Sequence, residues 1–213
     1  SELDLHNDQA TVDPRLKQLF TTTDPVYLMV STIEPRKNHA YLLDAFERAW
    51  ATGSTARLCI AGRVGWKCDA LLARVRNHPK LNQHLFMFND LTDTSLEHAY
   101  AHASALVFPS FVEGFGLPLV EAMQRGLPAM GSDIAVFREI GGEFMAYFDL
   151  QNPQSLADLI DQFQRNGQFP AARDVADWQW IGWREASLQL ASRSVLNVVQ
   201  APAAPARQHA HCS

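Results

Sequence analysis

The feature that most constrains the fold is a regular alternation of short apolar runs with longer amphipathic stretches. The runs are Val26–Ser31, Arg57–Ala61, Leu85–Phe88, Ala105–Pro109, Pro128–Ser132 and Met145–Phe148. Strands that are almost wholly apolar and are separated by helices are typical of a parallel sheet with both faces covered. We therefore predict an α/β fold with an open parallel sheet of about six strands and helices on both faces.

Helices are expected between the apolar runs. The candidates are Asn38–Ala51, Asp69–Asn77, Thr94–Ala103, Pro118–Arg125 and Gln154–Arg165. In the first candidate, apolar residues recur at helical spacing with charged residues opposite. Thr94 or Asp93 gives a start signal for the third, and Pro118 suits the first helical position of the fourth. Ligands of such sheets bind beyond the carboxyl ends of the strands, so functional residues are expected in the loops there.

The chain divides into three predicted parts. Residues 1–24 are a polar lead-in with one short helix, Pro14–Phe20, capped by Asp13. Residues 25–198 form the folded domain, which ends in a helix at Trp178–Val198. Residues 199–213 are rich in Pro and Ala and are expected to be disordered.

The last predicted helix carries three tryptophans, Trp178, Trp180 and Trp183. Large aromatic residues are usually core, but we hypothesise that at least one of these belongs to an interface with another domain. The sequence also starts without Met, in a polar stretch. We therefore expect it to be a piece of a longer protein.

Composition excludes several function classes. The net charge of −5 and the pI near 5.9 argue against nucleic-acid binding, which normally needs a basic face. Cys59, Cys68 and Cys212 have neither paired nor metal-type spacing, which favours a reducing, cytoplasmic location. No apolar run approaches the roughly 20 residues that a membrane-spanning helix needs.

One stretch combines glycines, acidic residues and a helix start. It runs from Phe108 to Met123 and reads FPSFVEGFGLPLVEAM. Gly114 and Gly116 let the backbone approach a ligand closely, and the start of the following helix favours an anion or sugar hydroxyls. Glu113 and Glu121 can face one cleft, where a carboxylate accepts hydrogen bonds from vicinal hydroxyls. The alternative is an ordinary strand–helix turn with two solvated glutamates, but the complete string favours a binding site.

This string resembles the E-x7-E signature of the group 1 glycosyltransferases (family 4), which have two Rossmann-like domains facing each other across a cleft, the GT-B fold. Other matching segments, in fitting order and spacing, are Val30–His39, Ile60–Trp66, Gly131–Ile134 and Arg138–Ile140. The first is similar to the EPRKN loop of the mannosyltransferase-like branch. The resemblance covers residues 25–165 and implies the C-terminal, donor-binding half, a Rossmann-like sheet with strand order 3-2-1-4-5-6.

The resemblance also implies residue roles. Glu121 would bind the ribose hydroxyls of the donor nucleotide, and Glu113 would hold the transferred sugar. The backbone contacts to sugar and phosphate would come from Gly114, Phe115, Gly116 and Leu117. Arg36 and Lys37 would neutralise the diphosphate and help it leave. Elementary electrostatics agrees, because fixed cations stabilise the charge that develops on a departing diphosphate.

Two departures from the family pattern are visible. Ser31 and Thr32 stand where the commoner pattern has Gly-Arg, so that one phosphate cation is missing or is supplied by Arg36. The usual Pro-Glu-Val reads Phe137–Ile140 here, which weakens any role for that loop.

The base pocket and metals need separate treatment. The pocket is expected to involve Gly62, Arg63, Asn89, Asp90 and Leu91, through their backbone. His98 and His102 lie one helical turn apart, but no third ligand accompanies them, so that packing is favoured over a metal site. No metal or other cofactor is expected, because Arg36, Lys37 and a helix N-terminus would take over the role of a metal.

The implied function is the donor-binding domain of a retaining glycosyltransferase. It would move a hexose, mannose first, from GDP-mannose or second from a UDP-hexose to a glycan or lipid-linked acceptor. The partner would be an N-terminal acceptor domain, and the full-length enzyme could contact the inner membrane face. Alone, this chain should bind donor weakly and turn over little. The alternative is a non-catalytic nucleotide- or sugar-binding relic. A nicotinamide-dependent oxidoreductase is rejected, because G-x-G-x-x-G is absent after the first strand.

Overall fold

The computed structural model describes residues 11–179, which contain a sheet of six parallel strands. The strands are β1 Val26–Val30, β2 Arg57–Ala61, β3 Leu85–Phe88, β4 Ala105–Phe108, β5 Ala129–Ser132 and β6 Ala146–Phe148. They lie in the order β3-β2-β1-β4-β5-β6, and each neighbouring pair is parallel. The predicted α/β class and strand order are therefore confirmed, with strand ends that differ from the predicted ones by one residue at most.

Helices connect the strands. They are α1 Pro14–Leu19, α2 His39–Ala51, α3 Asp69–Arg76, α4 Asp93–His102, α5 Leu117–Gln124, α6 Ala135–Gly141 and α7 Pro153–Asn166. Short 3₁₀ helices lie at Pro35–Lys37, Gly142–Phe144 and Val175–Asp177. The predicted cap of α1 is confirmed, because Asp13 Oδ1 accepts a hydrogen bond from the Arg15 N–H at 2.8 Å. None of the helices between residues 11 and 179 is long and apolar enough to cross a membrane.

Three details of the helices correct the sequence analysis. The cap of α4 is Thr92, whose Oγ1 accepts from the Ser95 N–H at 3.2 Å, instead of Thr94 or Asp93. Pro118 takes the second position of its helix, since the helix begins one residue earlier, after Gly116. Helix α6 is absent from the sequence prediction, because it has only seven residues and its N-cap makes no side-chain hydrogen bond.

The core lies on both faces of the sheet. On one face, α2 and α7 pack against the central strands, and the rings of Tyr27 and Phe46 meet edge to face at 5.6 Å. Alternation along β4 sends Phe108 to the other face, where its ring lies 5.8 Å from that of Phe137 on α6. Each fully buried side chain of this size stabilises the fold by roughly 1.5–3 kcal/mol.

The lead-in helix belongs to the same unit, because Leu16 and Leu19 of α1 are fully buried. The domain boundaries at residues 24 and 198 stay predictions. The expected helix at Trp178–Val198 and the tail lie almost wholly outside the described residues. Trp178 itself is extended and half-buried, and its indole N–H donates to the carbonyl of Ile140 at 3.0 Å.

The strand order places a crevice at the carboxyl ends of β1 and β4. The chain leaves β1 towards β2 on one side, whereas it leaves β4 towards β5 on the other. Where the direction of winding reverses in this way, the two loops separate and open a ligand site. Loops 31–38 and 109–116 therefore flank the crevice, and they carry the residues that the sequence analysis selected.

Candidate functional site at the crevice between β1 and β4

The loop after β1 is held against the loop after β4. It ends in the 3₁₀ helix Pro35–Lys37 and reverses at Asn38, whose φ of 57° lies in the left-handed region that Asn tolerates. The N–H of Phe111 donates to the carbonyl of Arg36 at 3.0 Å. This backbone bond brings the basic loop to the glycine-containing loop.

Glu113 joins the two predicted cations. Its Oε1 lies 2.5 Å from Nζ of Lys37 and accepts from the Ser110 hydroxyl at 2.7 Å, and its Oε2 lies 3.1 Å from Nη1 of Arg36. The side chains of Glu113 and Lys37 are only 6% and 9% exposed. A buried carboxylate is tolerated only with such compensation. The structure thus brings the three predicted catalytic residues together as one ion cluster.

Arg36 is the accessible member of this cluster. Its side chain is 46% exposed, and its Nη2 lies 2.6 Å from Oε1 of Glu34. The other oxygen of Glu34 accepts from the indole N–H of Trp66 at 3.2 Å. Because its guanidinium is partly exposed to solvent, whereas Lys37 is buried against Glu113, Arg36 is the cation of this cluster that an anion in the crevice could reach.

The deeper wall of the cluster is fixed by neighbouring strands. Nζ of Lys37 lies 4.9 Å from the ring centroid of Phe108, a cation–π contact. The hydroxyl of Ser132, at the end of β5, donates to the carbonyl of Ser110 at 2.6 Å. These contacts hold the ion cluster on a rigid edge of the sheet, which is what a preorganised site requires.

The start of α5 forms the next wall of the crevice. Gly116 caps the helix with a φ of 80°, and a Cβ there would lie 3.0 Å from Cε1 of Phe137. Glycine is thus required by both backbone and space. Leu117, the first helical residue, is 60% exposed. The start of α5, with the positive end of its helix dipole, therefore lies near the protein surface.

Gly62, Arg63 and Leu91 line one cavity of about 180 Å³, together with Val30, Ala61, Asn89, Asp90 and Leu96. The residues predicted for the nucleotide base thus lie together at the ends of β2 and β3. Gly62 is needed because a Cβ would lie 1.8 Å from the carbonyl oxygen of Ser31. The close approach of these two loops shapes the cavity. Base binding there stays a prediction.

Glu121 is half-buried on α5 and has other partners than Glu113. Its Oε2 accepts a hydrogen bond from the hydroxyl of Tyr100 at 3.0 Å. The described residues provide no side chain that hydrogen-bonds to both carboxylates. The prediction that the two glutamates serve one ligand therefore remains a prediction.

The position that departs from the family pattern carries no cation. Ser31 is buried, and its hydroxyl lies 3.3 Å from Nε2 of His39, which is itself 2% exposed. Burial, aided by the charge of Lys37, lowers the pKa of His39 to about 4. The imidazole is hence neutral at physiological pH, and Arg36 and Lys37 supply the positive charge of this loop.

Three side chains of the site have no functional role in the sequence prediction. Glu34 and Ser110 lie inside the quoted motifs but were given no role, although they bind Arg36 and Glu113. Tyr100 gave no sequence signal, because a lone Tyr on an amphipathic helix is indistinguishable from core. Only the packing of α4 against α5 reveals its contact with Glu121.

Metal ligation finds no support between residues 11 and 179, where no three His, Cys, Asp or Glu side chains come together. The ring centroids of His98 and His102 lie 3.9 Å apart, and both imidazoles pack against the ring of Phe20. This is the packing role expected for them. Independence from a metal stays a prediction.

Comparison with known proteins places this geometry in a class. The family model described as "Glycosyl transferases group 1" matches residues 14–176. It covers more than half of the chain, and its signature segments build the crevice described above. The chain therefore belongs to the group 1 glycosyltransferases, and the resemblance noted in its sequence is confirmed.

Two similar proteins of Escherichia coli are mannosyltransferases by name. The serotype-specific mannosyltransferase WbdA of Escherichia coli is 39% identical over 167 residues, which are 76% of this chain and 20% of WbdA. The O-antigen chain mannosyltransferase B of the same species is 30% identical over 166 residues, or 43% of its length. This chain thus spans less than half the length of these two relatives.

Solved structures agree on the fold. The structure of Anabaena Alr3699/HepE in complex with UDP and glucose matches with a TM-score of 0.64 at 16% identity, over 88% of this chain and 53% of that one. The pneumococcal O-GlcNAc transferase GtfA, in complex with UDP and GlcNAc, matches with a TM-score of 0.59 at 20% identity, over 83% and 36%. These likenesses show the fold of this chain, which is one Rossmann-like unit of the kind found in GT-B glycosyltransferases.

Proposed function

We propose that this chain is the donor-binding domain of a retaining glycosyltransferase. It transfers a hexose, with mannose as first choice, from a nucleoside-diphosphate sugar to a glycan or lipid-linked acceptor. The observation that carries the proposal is the cluster of Arg36, Lys37 and Glu113 at the mouth of the crevice. Two cations and a hydrogen-bonding carboxylate beside an open helix start suit a sugar diphosphate.

In the proposed reaction, Arg36 stabilises the diphosphate as it leaves and the start of α5 receives its phosphate oxygens. Negative charge grows on the leaving oxygen when the glycosidic bond breaks, so fixed cations lower the barrier. Lys37 holds Glu113 in the orientation that receives the hydroxyls of the sugar. Glu121 holds the ribose, and the cavity beside Gly62 takes the base.

The donor is inferred from the relatives. The names of WbdA and mannosyltransferase B support mannose, and we take GDP-mannose as the first donor and a UDP-hexose as the second. The titles that include UDP support a nucleotide sugar in general. A role in polysaccharide assembly follows the O-antigen name. Retention of configuration, a cytoplasmic location and contact of the full-length enzyme with the inner membrane face stay predictions.

Exposed apolar side chains support a missing partner domain. Val64, Trp66, Phe111, Val112 and Leu117 are 45–61% exposed. All five lie in loops or at a helix start beyond the carboxyl ends of β2 and β4. Apolar side chains gathered at one edge are typical of a surface that another domain or the acceptor covers. We therefore expect transfer only when the acceptor domain is present, and little turnover by this chain alone.

Calorimetric titration with GDP, UDP and GDP-mannose tests the proposal. Wild type should bind at least one nucleotide, and Arg36→Gln should weaken that binding by about tenfold or more, the usual loss of a hydrogen bond to a charged group. Arg165→Gln is the matched control, since Arg165 is also ion-paired but lies at the far end of α7. Absence of nucleotide binding, or equal losses in both variants, would refute the proposal.

The relic alternative keeps one observation in its favour, which is the absence of a cation at Ser31 and Thr32. A relic domain would still bind nucleotide. Joined to the acceptor domain, it would release no nucleoside diphosphate from the sugar donor, whereas an enzyme would release it in an Arg36-dependent way.

A further inference from the structure

We infer that Tyr100 is a positioning residue, whose hydroxyl fixes the carboxylate of Glu121 in the orientation that receives the donor ribose. The inference rests on the ribose role proposed for Glu121 and adds a residue that the motifs do not include. Tyr100 lies on α4 and Glu121 on α5, so this contact exists only in the folded domain.

The contact is suited to orienting a carboxylate. The Tyr100 hydroxyl donates to Oε2 of Glu121 at 3.0 Å, and Tyr100 is 2% exposed. Among residues 11–179 no other side chain hydrogen-bonds to this carboxylate. Oε1 therefore keeps its acceptor capacity for a ligand, while Oε2 is held by a rigid, buried donor.

A second layer holds the ring of Tyr100. The guanidinium carbon of Arg125 lies 4.9 Å from the ring centroid, and Nη1 of Arg125 donates to the backbone carbonyl of Glu121 at 3.0 Å. Nε of Arg125 donates to Glu97 on α4 at 3.1 Å. Arg125 thus links α4 and α5 beside the ring of Tyr100, and these contacts restrict the orientation of the ring and its hydroxyl.

The phenol remains a donor over the working pH range. Burial, and then the negative charge of Glu121, raise the pKa of Tyr100 above its ordinary value. The phenol therefore stays protonated at physiological pH, and the hydrogen bond keeps its direction from phenol to carboxylate.

Titration with matched nucleotides separates positioning from a structural role. Wild type and Tyr100→Phe are titrated with GDP and 2′,3′-dideoxy-GDP, and with the corresponding UDP pair. We expect Tyr100→Phe to bind the ribonucleotide about tenfold more weakly, because the ribose then loses one charge-assisted hydrogen bond to Glu121. The variant should bind the dideoxynucleotide as wild type does. Equal losses for both nucleotides, or no loss, would overturn the inference.

The control is Tyr41→Phe, which removes another buried hydroxyl, one that donates to the carbonyl of Asp149 at 2.8 Å. It should change neither affinity. If Tyr100→Phe does not fold, Arg125→Gln replaces it and should give a smaller loss, about threefold, with the same selectivity for the ribonucleotide. If Arg125→Gln then binds each of the two nucleotides as tightly as wild type does, the result counts against the inference.

Failure of the proposed function gives a different result. If wild type binds neither nucleotide, the donor-binding proposal falls. If it binds both equally, only the ribose role of Glu121 falls, and this inference with it. If wild type prefers the ribonucleotide and Tyr100→Phe keeps that preference unchanged, this inference alone is wrong.

Discussion

Nζ of Lys37 lies 2.5 Å from Oε1 of Glu113, and both side chains are at least nine-tenths buried. The two residues are 76 positions apart in sequence and are brought together by the pairing of β1 with β4. In the free protein the carboxylate that is proposed to bind the sugar is thus already oriented by the ammonium of Lys37.

Removal of the charge on Glu113 should be strongly destabilising. Glu113→Gln leaves the buried ammonium of Lys37 without its anion, so we expect the free energy of unfolding to fall by about 3 kcal/mol. Lys37→Met/Glu113→Gln should recover part of this loss, because the unpaired charge is gone. Urea unfolding of the wild type, both single variants and the double variant measures the coupling.

An exposed pair provides the reference for that cycle. Asp161 and Arg165 form an i, i+4 pair on α7, and the Arg165 side chain is 72% exposed. Asp161→Asn should cost less than about 1 kcal/mol. If Glu113→Gln costs no more than Asp161→Asn, the buried pair does not have the stabilising role described here.

Gly62→Ala should disrupt the fold at the base cavity. A Cβ would lie 1.8 Å from the backbone oxygen of Ser31. The backbone of Ser31 is itself held in place, because its N–H donates a hydrogen bond to the carbonyl of Ala61. We expect a loss of about 3 kcal/mol or more of stability, in the range known for overpacking and backbone strain. Thermal unfolding is the measurement, and a wild-type midpoint would show that the loops separate freely.

Gly114→Ala should leave the stability of the fold nearly unchanged but weaken binding of the nucleotide sugar. A Cβ at Gly114 meets nothing within 4 Å, and its φ is not in the left-handed region. Stability should therefore change by less than about 1 kcal/mol. If a ligand approaches this backbone, nucleotide-sugar affinity should fall by about tenfold, since the methyl group occupies its place. Unchanged affinity would exclude Gly114 from the donor site.

Stability should fall as pH falls below 6.5 because of His39. Its pKa is lowered to about 4 in the folded protein, first by burial and then by Lys37, whereas in the unfolded chain it is about 6.5. Between these values the unfolded state binds the additional proton, so the stability present above pH 6.5 is lost on acidification, by roughly 3 kcal/mol in total. His39→Gln should remove this part of the slope.

The measurement is urea unfolding of wild type and His39→Gln at pH 7, 6, 5 and 4.5. Other groups contribute equally to both proteins, so the difference between the two slopes isolates His39. Parallel curves would show that His39 titrates alike in the folded and unfolded states.

The fold was largely predictable because the strands and most of the helices carry their own sequence signals. The buried strands are almost continuously apolar, and α2 has an apolar stripe at helical spacing. The strand order came from the family resemblance instead, since periodicity does not encode which strands are neighbours. Helix α6 was missed, because a seven-residue helix with an uncapped start gives too little pattern to recognise.

The sequence by itself determined the strands, most helices, the family and the residues that gather at the crevice. Tertiary structure alone decided their pairing: that Glu113 binds both Arg36 and Lys37, and that Glu121 binds Tyr100. The physical reason is distance along the chain. Local patterns act over a few residues, whereas these contacts join residues 21 to 77 positions apart, and only the packed sheet and helices fix them.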